Sequence, residues 1–588
     1  MEHGSMKLRE FLRAWEWPLV WAAGIGTLGL GFLGVWWHAL AHGELFRWGD
    51  AAYLTLKLFT VSLDPLKPPL GWPLEAARFL APAILGYAAV KAFAVLFREQ
   101  FQLARLNWQR RHAIVCGLGR KGLELTRAFG GARTPVVVIE ADEENDHIEP
   151  AVESGAIVLI GDAADRGLLR RAAVGRAQYL IAVTADDGKN VEIALRAVGV
   201  ARAVRTRSGR KLRCLVHVGD AELRNLFRQQ RVLDPRANGC ELTVFDFFEI
   251  CARQLFLEAP LDPVPITSPD DSRRARVIIV GFGNMGESVL LQAAHTAHFA
   301  NGQRLLATVI DPQAARLQRR FDHRYPGFRH VCDTEFLALE FEDPTVLERL
   351  RCWGADARTI ETIVLNCDNE NRNLSLALHL LPQLRGLNIP VLVRMSSRSG
   401  LAALLEGGAD AGGPMKEIKP FGMVEDLCSP QMLFDERLDA MARVIHENHV
   451  AHRRAKVAPA NDPALVPWEQ LGEDFRDSCR HQADHLPVKL RALGRRLAPA
   501  PTGGAAALEL AVNQIEVLAR MEHARWCAER FLAGWTYTDT EKDDERKTSP
   551  YLVGWDELPE HIKEYDREAV RQIPHLLSAA GLTTLEAT

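Results

Sequence analysis

Two short glycine-rich stretches hold the residues best suited to chemistry: IVCGLGRKG, Ile114 to Gly122, and IIVGFGNMG, Ile278 to Gly286. Each follows an apolar run, so Gly117, Gly119 and Gly122, and likewise Gly281, Gly283 and Gly286, fall where a strand turns into a helix. The first glycine permits a tight bend, the second lets a phosphate approach the backbone, and the third lets helix pack on strand. The positive end of the helix then faces the anion. An acid closes the next strand in each copy, Glu140 and Asp311, where a carboxylate accepts hydrogen bonds from ribose hydroxyls and disfavours a 2′-phosphate. Asp162, in the Gly161-Asp162-Ala163 turn, and Asp333, after Cys332, are expected at the same sheet edge. The chemistry implied is the binding of NAD(H) or another adenine nucleotide. A scaffold of the same fold that binds nothing stays open for either copy.

Catalytic and metal sets are not expected. His446 and His523 are candidate bases, yet no nucleophile elbow, HExxH or zinc spacing accompanies them, and the ten cysteines are scattered without a CxxC pair. The net charge of -4 and the lack of a long basic run argue against nucleic acid as a partner.

The elements that must position the turns follow an alternating pattern. Short β-branched runs at Ala113 to Cys116, Val136 to Ile139, Ile157 to Ile160, Tyr179 to Val183 and Cys214 to Val218 alternate with helical stretches, which predicts a doubly wound parallel sheet of Rossmann type. A Pro- and Asp-rich segment, Ala259 to Asp271, reads as a linker, and the module restarts at Val277. AVTADDGKNVEIAL from Ala182 and VLNCDNENRNLSLAL from Val364 share a strand, a polar turn and an asparagine, Asn190 matching Asn373, so the repeat is a duplication. The block from His112 to about Pro260 resembles the regulator-of-potassium-conductance (TrkA-N) domains, in which GDA and the stretch Asp186, Asp187, Asn190 recur beside the glycine turn.

Ahead of these modules the chain runs from Trp17 to Leu40 without a formal charge, roughly 36 Å at helical rise and enough to cross a bilayer. Phe79 to Phe97 is interrupted only by Lys91, which can snorkel. Two spans make a hairpin whose flanks face one side. Lys7, Arg9 and Arg13 before it, with Arg98, Arg105, Arg110 and Arg111 after it, place that side in the cytoplasm, although Arg47, Lys57 and Lys67 lie in the loop between. That loop contains GDAAYLTLKLFTVSLDP, Gly49 to Pro65, too apolar for a solvated connector and too short to cross twice, so a re-entrant helix is expected; an interfacial amphipathic helix is the alternative. Pro82 and Gly86, one turn apart, could kink the second span.

On its small and aromatic residues before Thr60-Val61 and the acid Asp64, the hairpin resembles the two-helix pore module of potassium channels. It departs at the filter. A potassium filter uses a Thr-Val-Gly-Tyr-Gly run of stacked carbonyls, whereas this chain has Thr60, Val61, Ser62, Leu63, Asp64, so potassium selectivity does not carry over.

The C-terminal region is helical and rich in His, Arg and Trp. Trp468 to Gly494 lies without gaps on Trp555 to Gly581, and ARVIHE and ARMEHA upstream align His446 with His523. MEHARW, the turn Gly534-Trp535 with Tyr537, Lys547 before Pro550, and WDELPE resemble the ryanodine-receptor repeat (RyR) domain over about Phe434 to Gly581. The resemblance implies a sensor of nucleotide-derived ligands. A cleft of the pseudo-repeat with Trp526, Trp535 and Tyr537 near Arg525 and Lys547 would suit a stacked base and a phosphate, while the same tryptophans could simply fill a core.

The expected fold class is therefore multidomain: an α-helical transmembrane hairpin with a re-entrant pore loop (residues 1–111, helices about 17–40 and 76–98, re-entrant segment about 49–65), two α/β Rossmann-like doubly wound domains (112–260 and 275–428), and a mainly α-helical RyR domain (434–581). The expected function is a non-enzymatic, ligand-gated channel in the inner (plasma) membrane, multi-pass, with its termini and soluble domains cytoplasmic, acting as a homo-oligomer with a tetramer favoured. Its expected partners are the lipid bilayer and a nucleotide-type small molecule. A membrane-anchored sensor that does not conduct, and an NAD-linked oxidoreductase, are the alternatives.

Overall fold

The computed structural model describes residues 2–43, 47–60, 70–96, 110–205, 211–228, 240–340, 343–354, 358–384, 386–387, 389–398, 418–433, 437–455, 462–501 and 508–586. They fall into two compact units, 1–108 and 109–588. The first is built from helices α1 (Glu2–His42), α2 (Trp48–Lys57) and α3 (Trp72–Leu96), with a short 3-10 turn, Leu58–Thr60, after α2. Pro18–His42 and Trp72–Phe93 are long and apolar enough to cross a membrane. The second span starts earlier than its apolar run because Pro73 sits in the first turn, where a missing N–H costs nothing. It stays helical through Pro82 and Gly86.

Glycine brings these helices together. A Cβ at Gly34 would lie 2.6 Å from the Leu74 backbone nitrogen, and one at Gly31 would lie 2.9 Å from both Leu58 and Thr55. Small residues that let backbones approach are the means by which apolar helices pack where no hydrophobic effect separates them from lipid. Ala51, Leu58, Leu74, Ala77 and Ala81 are buried at this contact, whereas Trp21, Ile25, Phe79, Val90 and Phe93 are exposed. The segment expected to be a re-entrant or interfacial helix, about 49–65, begins with α2. Of the filter positions only Thr60 is described; Val61, Ser62 and Asp64 lie outside the described residues, as does most of the Arg98 to Arg111 connection.

The second unit holds two six-stranded, all-parallel sheets. β1 (Ala113–Cys116), β2 (Val136–Glu140), β3 (Ile157–Ile160), β4 (Tyr179–Ala182), β5 (Arg213–His217) and β6 (Glu241–Phe245) take the order 3-2-1-4-5-6. β7 (Arg274–Val280), β8 (Leu305–Ile310), β9 (Cys332–Leu337), β10 (Thr359–Leu365), β11 (Val391–Arg394) and β12 (Ile418–Phe421) take the same order within their own set. This is the doubly wound Rossmann arrangement, with its switch point between the first and fourth strands. The sixth strand of each sheet was not among the expected strands.

Register makes the duplication exact residue by residue. Cys116 pairs with Ile139 and Ala182, and Val280 pairs with Ile310 and Leu365. Asn190 and Asn373, both fully buried, then do the same work. Each amide oxygen takes the N–H of the residue six before it, Thr184 or Cys367, at 2.8 Å. Each amide nitrogen donates to that residue's carbonyl and to the end of the fifth strand, His217 or Arg394, both at 3.1 Å. The segment expected to be a linker is instead packed: Leu261, Asp262 and Ile266 are buried, and Asp262 accepts from Arg491 Nε at 2.9 Å.

The C-terminal region comprises helices Ala440–Ala455, Glu473–Ala492, Val512–Leu532, Glu560–Arg571 and Ile573–Ala579. Strands Arg495–Pro499 and Leu582–Glu586, each at the end of one repeat, pair antiparallel. The repeat extends to its ion pairs. Arg480 holds Asp439 as Arg567 holds Glu516, and Arg443 meets Glu469 as Arg520 meets Asp556.

Candidate ligand crevices

The first glycine turn opens onto a crevice of about 1130 Å³ at the carboxyl edge of β1 to β5. Gly117 has φ +95°, in the region that favours glycine. A Cβ at Gly122 would lie 2.0 Å from the Gly117 carbonyl oxygen, so helix Arg120–Gly131 reaches the strand only with glycine there. Gly119 is the N-cap of that helix without a side-chain cap bond, and a Cβ on it would meet no protein atom within 4 Å. No protein neighbour therefore requires glycine at this second position of the turn.

Glu140 lines the crevice, and it also braces the turn. Its carboxylate accepts from the N–H of Leu118 at 2.6 Å, Ala141 at 2.8 Å and Asp142 at 3.0 Å. Asp311 does likewise in the second copy, accepting from Phe282 at 2.9 Å and Gln313 at 2.8 Å. Five backbone N–H groups thus bond to these two acids, and in both units the acid fixes the amide between the first two glycines.

The crevice contains groups that sequence reasoning passed over. Lys121 lies 3.2 Å from His217 Nε2 and 4.4 Å from the centre of the Phe247 ring. Burial pushes the Lys121 ammonium down, against the pull of Asp246. Burial, reinforced by Lys121 and Arg224, holds His217 down at about 3, so its ring is neutral. Burial raises Asp246 to about 6 despite Arg224. Asp162 accepts from the Ala164 N–H at 2.9 Å and meets Lys189 at 3.2 Å; the amide bond and then the lysine keep its carboxyl below the usual range.

Asp333 requires a correction. It is the second residue of β9, paired with Leu306, and therefore lies at the amino end of the strand, away from Gly281, Gly283 and Gly286. Arg274 and Arg304 hold it at 2.6 and 2.8 Å. The register puts Glu340 opposite Asp162, and Glu340 meets Arg372, the residue before Asn373, as Asp162 meets Lys189, the residue before Asn190.

The two carboxyl edges face each other. Arg120, first in its helix, donates to Ser396 Oγ at 3.0 Å, and Glu370 lies 3.8 Å away. Asn284, first in the equivalent helix Asn284–Thr296, lines the first crevice beside Gly219.

Of the five residues expected to form an RyR pocket, Trp526 and Trp535 both lie beside the Arg530 guanidinium, at 5.7 and 4.9 Å. Arg525 is buried between Glu522 at 2.8 Å and Glu529 at 2.5 Å, Trp535 is buried with Arg530 stacked on it, and Tyr537 and Lys547 are exposed. Lys547 donates to the Ala533 carbonyl at 3.0 Å. Trp526 is half-buried, stacked on His523. A cavity of about 500 Å³ lies elsewhere, between helix Val512–Leu532 and the 298–304 loop of the second Rossmann unit, and none of those five lines it. His446 and His523 donate from Nε2 to the carbonyls of Val466 and Val553, at 2.7 and 2.9 Å. Among the described residues no group of His, Cys, Asp or Glu is arranged to hold a metal.

Comparison with known proteins agrees with two of these modules. Residues 113–221 match the TrkA-N domain model and residues 505–586 the RyR domain model, the latter covering the second repeat. Potassium channel protein 1 of Methanocaldococcus jannaschii is 34% identical over 107 residues, 18% of this chain and 32% of that protein. A protein of Methanothermus fervidus named only as uncharacterized is 26% identical over 159 residues, 25% of each chain. The chain thus spans a third or less of the length of these curated relatives. Among solved structures, the GsuK channel bound to NAD covers 73% of this chain and 85% of its own at 14% identity and TM-score 0.37. GsuK bound to ADP covers 72% and 99% at 14% and 0.35. Likeness at that level carries no functional argument. The chain carries a TrkA-N domain at residues 113–221 and an RyR domain at residues 505–586.

Proposed function

We propose that this chain is a ligand-gated, channel-like membrane protein of the inner (plasma) membrane, with Pro18–His42 and Trp72–Phe93 as its spans and the Rossmann and RyR domains in the cytoplasm. The observation that carries the reading is the first crevice: a glycine turn on a helix N-terminus, an acid at the end of β2 and a lysine on the floor, in one cavity of dinucleotide size. In this reading NAD(H) or another adenine nucleotide lays its phosphates against Gly117, Gly119 and Lys121 and its ribose against Glu140. Gly119, which no protein neighbour requires, is then explained by the phosphate. Asn284 closes the far side, so a nucleotide touches both Rossmann units and favours one of their arrangements to the extent that its affinities differ. The protein's output is conformational, with no turnover of the nucleotide. Four chains around one pore would bring eight Rossmann units together. The potassium channel relative, matched over 18% of this chain, supports a channel-like reading.

The full chain in liposomes, assayed for monovalent-cation flux with NAD+, NADH and ADP, tests this. Flux that changes with a nucleotide and loses that response in Glu140→Ala supports it; no flux under any condition contradicts it. A non-conducting sensor is the second reading, favoured by the filter position, where Ser62-Leu63-Asp64 stands in place of the glycine-bearing carbonyl run. Nucleotide binding without flux would select it.

A further inference from the structure

The cavity between the second Rossmann unit and the RyR domain has a wall of one sign. Its lining includes Arg304, Arg520, His298, His330 and His523, with Trp555, and no carboxylate. Such a surface with low-dielectric walls concentrates the opposite charge. The acids that belong to these cations stand behind the wall. Asp333 holds Arg304 at 2.8 Å, Asp556 holds Arg520 at 3.2 Å, and Asp566 faces Nδ1 of His523 at 3.4 Å. A guanidinium has five donors in a fork, so it can receive an anion in front while its acid stays behind. His298 adds a different group: its Nε2 is buried without a hydrogen-bond partner, while the ring is tied to the Ala294 carbonyl. Burial holds its pKa down at about 4, so the ring is neutral and adds no charge to the wall.

The internal repeat provides the control. His446 and His523 make the same bond to a carbonyl, and each ring lies 5.9 Å from its tryptophan, Trp468 or Trp555. Where the second repeat has Asp566 the first has Cys479. The fold thus holds this histidine without a carboxylate behind it, and Asp566 has another consequence. Burial alone would depress His523, yet the bond to Asp566 and the neighbouring Cys527 outweigh it and raise the ring to about 10, so it is a cation at neutral pH.

We propose that this cavity binds a small organic anion carrying a planar ring, the ring against Trp555 and the anionic group among Arg304, Arg520 and His523. The site is separate from the nucleotide crevice and does not depend on that reading.

Isothermal titration of the full chain with 1-naphthyl phosphate, which has a ring and a phosphate but no ribose, and with neutral 1-naphthol tests it. The phosphate is expected to bind one site per chain, at least tenfold more tightly than the naphthol. Arg520→Ala weakens it at least tenfold. Arg443→Ala, which removes the same arginine–acid pair from the first repeat, leaves the affinity unchanged and so separates binding from folding. Asp566→Asn, which removes the carboxylate that keeps His523 charged against its burial, weakens binding at pH 7.5, while the first repeat's Cys479→Ala leaves it unchanged. No binding of the phosphate, an equal loss in Arg443→Ala, or a loss in Glu140→Ala overturns the proposal.

Discussion

In the first Rossmann unit the helix leaving the glycine turn begins Arg120-Lys121, and in the second it begins Asn284-Met285. Everything around these pairs is shared: sheet order, the acid bracing the turn and the buried asparagine. Because the two carboxyl edges face each other, the first residue of each helix crosses to the other's edge. The long Arg120 reaches Ser396 and Glu370, while the short Asn284 stops at Gly219. The second residue differs as well. Lys121 brings a cation to the crevice, and Met285 is buried apolar packing. Duplication preserved the scaffold, and two positions per copy separate a crevice suited to an anion from a wall that completes it.

The largest effects test the shared scaffold. Gly122→Ala and Gly286→Ala drive a Cβ toward a backbone carbonyl, to 2.0 and 2.5 Å, and each should cost roughly 3 kcal/mol or more, Gly122 the more, measured by denaturant unfolding of the full chain. If either is neutral, the turns are not built alike. Asn190→Ala and Asn373→Ala each strand three backbone bonds and should cost about 2–4 kcal/mol, equal to within about 1 kcal/mol. Unequal losses would mean that one unit has drifted from the shared design.

The next effects test the difference. Lys121→Met gives the first unit the second unit's residue and should weaken adenine-nucleotide binding about tenfold, or about 1.4 kcal/mol, by titration calorimetry. Met285→Lys should create no second site. The smallest effect concerns helix Asn284–Thr296, which carries His295 and leads into His298, whereas Arg120–Gly131 contains no histidine. His295 stacks on His481 with ring centres 3.7 Å apart, and burial holds His295, His298, His481 and His485 below their usual range. Below about pH 6.5 the unfolded chain protonates these rings and the folded chain does not, so this seam loses stability as pH falls. His523, with a folded value of about 10, instead contributes stability that is lost as pH rises from about 6.5 through 10. With a folded value of about 4, His298 alone should account for a difference on the order of 1 kcal/mol at pH 5.5. Unfolding of wild type and His298→Asn at pH 7.5 and 5.5 isolates it; parallel pH dependences would remove His298 from the account.

Much of this was legible in the sequence, and the failures have physical causes. The glycine spacing, the acid after the second strand and the Asn190/Asn373 match are local signals, and local structure obeys them. Asp333 was assigned to the wrong end because CDTEFL is too polar to read as a strand, yet β9 is an edge strand and tolerates polar residues. The cation just before each asparagine, Lys189 and Arg372, could have led to Asp162 and Glu340. Arg525 has Glu522 and Glu529 three and four residues away on one helix, a spacing that announces an ion pair more than a ligand contact. The RyR-side cavity was not legible at all, since half of its lining comes from the second Rossmann unit, mostly from the 298–304 loop, far upstream in the chain.

The central claim is that one crevice of the pair takes the nucleotide. Calorimetric titration of the full chain with NAD+, NADH and ADP, in wild type, Glu140→Ala and Asp311→Ala, measures it directly. The account predicts one site per chain for at least one of these ligands, weakened tenfold or more by Glu140→Ala and less than threefold by Asp311→Ala, about 1.4 against 0.6 kcal/mol. Two equivalent sites, or an affinity that Glu140→Ala leaves unchanged, would contradict it.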